Sequence, residues 1–133
     1  MFRTRADTNK GVNIMRFLLI CYVNPAAFGQ MSQAQIGAHL GSYLAYNQEA
    51  QAAGVLRGAE QTEQVAPFAV TVTGGQTHVT DGALEPTRHM IGGLYIIDVK
   101  DRTEAEAWAA KVPAARDGVG SIQVHQLADV PTN

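Results

Sequence analysis

The sequence predicts one α+β domain with the ferredoxin-like order βαββαβ and a β-hairpin inserted between its second and third main strands. Three observations predict it. Two short runs, 16–23 and 94–99, are apolar on both faces, as in strands covered on both sides. Two segments open with helix-capping patterns, Ser32 to Gln35 and Thr103 to Glu106. Between them, Gly74-Gly75 links two alternating stretches, the mark of a tight hairpin.

In order, R-F-L-L-I-C-Y-V at 16–23 is the first strand, broken by Asn24-Pro25. Ser32 is the expected N-cap of the first helix, with Met31 and Ile36 as a hydrophobic staple. The helix should run to about Ala53, where Gly54 ends it in a left-handed C-cap. Its expected inward stripe is Ile36, Leu40, Tyr43 or Leu44, Asn47 and Ala50, with His39, Tyr43 and Tyr46 on a neighbouring stripe. Val55 to Glu60 is a short second strand. Phe68 to Thr73 alternates as a half-exposed strand and returns through Gly74-Gly75 into Gln76 to Thr80. Gly92-Gly93 precedes the strand Leu94 to Val99. In the second helix Ala105, Trp108, Ala109 and Val112 form the buried stripe, and Pro113 closes it. A small loop at 114–120 leads to the last strand, Ser121 to Leu127.

At 133 residues, 46% of them hydrophobic and 17% charged, the chain is long enough for one real core. Residues 1–14 read as an N-terminal extension, with Met15 a candidate start; 15–127 form the domain and 128–133 a tail. A net charge of −2 leaves no footprint for nucleic acid, and no apolar run is long enough for a membrane span. The single cysteine, Cys21, lies inside a strand and reads as a small core residue. Without a C-x-x-C or H-E-x-x-H pattern, no metal or other cofactor is expected. A cytoplasmic protein is the expectation.

Helices on one side of such a sheet leave two strands apolar on the opposite side as well. A second copy of the chain is the simplest cover, so the expected partner is a homodimer through the sheet face. A tail or the hairpin folded over that face is the monomeric alternative.

The candidate chemistry gathers around Val79 to Val99, where a polar loop with Glu85, Arg88 and His89 meets a buried strand. Asp81 can be a turn former, its carboxylate bonded to nearby backbone, or a general base, or both. His39 is the second acid/base candidate, weighed against a solvated or interface histidine. Tyr43 and Tyr46 each offer a phenol to a substrate oxygen, weighed against ordinary packing. Arg88 can hold a carboxylate, unless it pairs with Glu85. His78 and His89 read as exposed, while His125, on an alternating strand, is open to either face. The chemistry these groups suit is cofactor-free proton transfer on a small molecule: elimination, isomerisation or abstraction beside a carbonyl.

The motifs T-D-G-A-L at 80–84, G-G-L-Y-I-I-D-V at 92–99, A-W-A at 107–109, P-A-A-R at 113–116 and A-A-G-V-L at 52–56 resemble the YCII-related proteins, specifically their D-G-P-F branch. The resemblance spans about 15–127 and implies a dimeric ferredoxin-like α+β barrel. It further implies a His–Asp acid/base centre, or a non-catalytic ligand-binding or regulatory dimer linked to transcription. Two departures stand out: the signature's Pro-Phe is Ala83-Leu84, and Tyr43 falls where the family's helix histidine would lie, with His39 one turn earlier.

Overall fold

The computed structural model describes residues 13–63, 65–85 and 89–129. The chain forms β1 (Met15–Val23), α1 (Pro25–Phe28), α2 (Gln33–Ala52), β2 (Leu56–Gln61), β3 (Phe68–Thr73) and β4 (Gln76–Asp81). It continues through β5 (Met90–Val99), α3 (Arg102–Ala110), α4 (Pro113–Arg116) and β6 (Gly120–Leu127). The main sheet has four strands in the order β2-β5-β1-β6, every neighbouring pair antiparallel. This mixed α+β arrangement is consistent with a ferredoxin-like fold. β3 and β4 form a separate two-stranded antiparallel ribbon.

Alternation along β1 and β5 decides what each face meets. Phe17, Leu19 and Cys21 of β1 join Tyr95, Ile97 and Val99 of β5 in one core with Tyr46 and Ala50 of α2 and Ala105, Trp108 and Ala109 of α3. Both long helices therefore cover the same face. On the opposite face Leu18 pairs with Ile96, and Ile20 with Leu94. These four side chains are half-buried, flanked on β6 by exposed Gln123 and His125.

Local chemistry sets most element ends. Ser32 Oγ accepts from the Gln35 amide while Gln35 Oε1 accepts from the Ser32 amide, closing the expected capping box of α2. Gly54, at φ +75, stops that helix. Gly74 and Gly75, at φ +58 and +80, make the ribbon turn with the doubly positive backbone of a type I′ hairpin. Where β1 and β6 run together, a Cβ on Gly120 would overlap the Tyr22 carbonyl oxygen, so only glycine fits.

Several expectations are corrected. The buried stripe of α2 is His39, Tyr46 and Ala50, with Tyr43 packed against it, while Leu40 and Leu44 are 53% and 62% exposed. The α3 cap is Asp101, whose side chain accepts from the Glu104 amide, and Glu104 reaches back to the Lys100 amide. The box thus opens two residues before Thr103, which lies inside the first turn. Pro113 does not close α3, which ends at Ala110, but starts a short helix. Asn24-Pro25 ends β1 at Val23 as expected and also starts one, Pro at N1 fitting a position whose amide needs no helical partner. The ribbon is exposed on both sides rather than half-buried, with only Ala69 partly covered. Among the described residues no helix is long and apolar enough to cross a membrane.

Candidate functional site

The rotation of α2 turns His39 inward. Its side chain is only 2% exposed, held edge-on between Phe28 of α1 at 5.6 Å and Tyr43 one turn along at 5.2 Å. A buried imidazole needs partners for its ring nitrogens. The partner comes from the far end of the chain. α4 ends at Arg116 with Asp117 as its C-cap, and Gly118, at φ +73, turns the backbone toward β6. This exit sets the Asp117 Oδ2 atom 2.6 Å from His39 Nδ1.

Arg116 completes the group. Its Nε donates to Asp117 Oδ1 at 2.8 Å and its Nη2 to Oδ2 at 3.0 Å, a two-pronged hold on the carboxylate. That guanidinium, and after it the His39 ring, keep the Asp117 carboxyl below its ordinary value. An ionised carboxylate only accepts, so the bonded His39 Nδ1 carries the proton. In neutral imidazole this leaves the lone pair on Nε2, which has no hydrogen-bond partner among the described residues.

Tyr43 supplies a neighbouring phenol. Burial pushes its pKa up to about 12, so near neutral pH it stays protonated and can donate to an oxygen. Tyr46 is differently occupied: its hydroxyl donates to the Trp108 carbonyl at 3.0 Å, and its ring packs edge-on to Tyr95 and Trp108. Burial raises both the Tyr46 and the Tyr95 phenols, and it pushes the Cys21 thiol up to about 11.

The other sequence candidates are dispersed. Asp81 ends β4 on the ribbon, exposed and paired with Phe68, and no hydrogen bond or ion pair joins it to His39. Arg88 lies outside the described residues. His78 and His125 are exposed and His89 is half-buried. The structure therefore brings together His39 and Tyr43, adds Asp117 and Arg116, and leaves Asp81 elsewhere. Sequence reading passed over Asp117 as part of a small loop. Its one local signal is the Asp-Gly pair at 117–118, the same dipeptide that drew notice at 81–82.

A groove of about 320 Å³ runs between α2 and the α3–α4 corner, lined by Tyr46, Glu49, Lys111 and Arg116 among others. Its cations are already engaged, Lys111 with Glu49 and Arg116 with Asp117, and neither His39 nor Tyr43 lines it. Among the described residues no three His, Cys, Asp or Glu side chains gather as a metal site would require.

The model of one protein family, described as the YCII-related domain, matches residues 15–127. No curated protein matches the chain.

Proposed function

The chain belongs to the YCII-related family, and from that premise we propose that His39 is the general base of a cofactor-free proton transfer on a small molecule. The observation that carries the reading is the 2.6 Å contact of His39 Nδ1 with Asp117. A carboxylate on Nδ1 fixes the tautomer, aims Nε2, and stabilises the imidazolium formed when Nε2 takes a proton. Tyr43 donates its phenol to the oxygen on which negative charge grows. Nε2 abstracts a proton from carbon beside a carbonyl. It then returns that proton to another atom, giving isomerisation, or a leaving group departs with its electron pair, giving elimination. This reading moves the carboxylate's role from Asp81 to Asp117.

The assembly proposed with it is a homodimer whose second copy covers Leu18, Ile20, Leu94 and Ile96, an apolar patch on the helix-free face. T-D-G-A-L at 80–84 supports placing the chain in the D-G-P-F branch.

The test is solvent-deuterium exchange into a panel of small carbonyl compounds, followed by proton resonance. Exchange should disappear in His39→Gln and fall by roughly 10² in Asp117→Asn, the low end of acid/base contributions. Wild-type exchange rates in His39→Gln would refute the assignment. A second reading, a non-catalytic ligand-binding protein, draws on the near-complete burial of His39, which suits a structural tie as well as a base. Under it, a ligand raises the melting temperature and is recovered unchanged with its hydrogens unexchanged.

A further inference from the structure

The β3–β4 ribbon carries a feature that its own chain leaves unused. In its register Val70 faces Val79, with Phe68 and Val72 on the same side opposite Asp81 and Thr77, so one surface of the ribbon is an apolar strip bordered by Thr77 and Asp81. The other side holds Ala69, Thr71, Thr73, Gln76, His78 and Thr80. Phe68 is 69% exposed, Val70 53%, Val72 65% and Val79 62%. An isolated two-stranded hairpin is marginal in water, and needs its apolar side covered to persist. Nothing among the described residues of the chain covers this one.

The ribbon is not a loose loop. Thr62 continues the β2–β5 ladder, its amide donating to the Gly92 carbonyl at 3.2 Å and its hydroxyl to the Ile91 carbonyl at 2.7 Å. β3 and β4 form a separate two-stranded sheet that lies between β2 and β5 in the chain. Six residues per strand give an arm of roughly 20 Å.

We propose that this arm seats its apolar side on a second copy of the same chain, so that each protomer clasps the other. The inference rests on the homodimer reading above and adds a second contact to it. Area favours this occupant. Stable interfaces bury about 800 Å² on each partner. One phenylalanine and three valines expose on the order of 300 Å², too little alone. The half-buried patch of Leu18, Ile20, Leu94 and Ile96 is likewise small. A twofold operator adds the two, because every protomer gives one arm and one sheet face while receiving the same.

The experiment uses the full chain in sedimentation and amide hydrogen exchange. The variant Val70→Lys with Val79→Glu strips the apolar side but keeps an opposite-charge cross-strand pair that holds the ribbon together. Leu18→Lys separately probes the sheet face. The proposal expects a wild-type dimer whose 68–81 amides are protected, and a double variant with unchanged circular dichroism, free arm amides and a dimer dissociation constant about a hundredfold higher. A double variant that dimerises as tightly as wild type, while Leu18→Lys does not, removes the arm and leaves the sheet-face dimer standing. A chain that stays monomeric at every concentration overturns both. A monomer with protected arm amides assigns the cover to the chain's own remaining residues and overturns the arm exchange.

Discussion

Deleting Asp117 should destabilise the fold more than deleting His39, although they share one hydrogen bond. The His39 side chain is 2% exposed and the Asp117 side chain 26%. Asp117→Ala leaves Nδ1 of a nearly buried ring without its partner, and a buried donor left unpaired costs about 1–3 kcal/mol. His39→Leu instead puts an apolar side chain of similar volume between Phe28 and Tyr43. The abandoned carboxylate keeps both prongs of Arg116 and gains access to water. Exposed groups that can be solvated lose little, so this cost should stay below about 1 kcal/mol, most of it the lost edge-on ring contacts. Urea denaturation at neutral pH measures both from the shift in midpoint at unchanged slope. A reversed order, with His39→Leu costing more than Asp117→Ala, would show that the pair's strength lies elsewhere than in satisfying a buried imidazole.

Asp117 is depressed when folded, so its contribution is fully present above the unfolded value of 3.8 and is lost as pH falls below it toward the folded value. Acid titration of stability should show this loss in the wild type and not in Asp117→Asn. Cys21, with a pKa near 11, should be inert to a thiol-reactive disulfide at pH 8 and react fully once denatured; rapid native labelling would contradict its burial. Gly120→Ala should cost about 1–3 kcal/mol by thermal melting, because the new methyl meets the backbone oxygen of Tyr22, which cannot swing aside. An unchanged melting temperature would mean that β1 and β6 separate more easily than their ladder implies.

The main strands were legible because alternation and unbroken apolar runs are local signals, and β1 and β5 carry them strongly. The phase of α2 was not. Its small residues Ala34, Gly37, Ala38, Gly41 and Ala45 give the helix little contrast between faces, so a few large side chains decide its rotation. The sheet selected His39 and Tyr46 for the inside, and Leu40 and Leu44 came out exposed. At α3 two overlapping capping patterns compete. Asp101 wins because β5 ends at Val99, leaving Lys100 where the Glu104 carboxylate can hold its amide. Half of the candidate site was readable, in that His39 and Tyr43 share a helix stripe. Asp117 was beyond local rules: it meets His39 across 78 positions of chain, a contact created only when α4 docks against α2.

Trp108 is the chain's single indole. Its ring lies edge-on to Tyr46 at 6.1 Å, beneath the Lys111 ammonium at 4.9 Å, and its own carbonyl takes the Tyr46 hydroxyl. These contacts tie it to the seam where the two long helices meet. Emission from this one fluorophore is therefore a built-in optical gauge of that seam. It can follow the loosening of α3 from α2 without a label, and separate that event from any change in the distant ribbon.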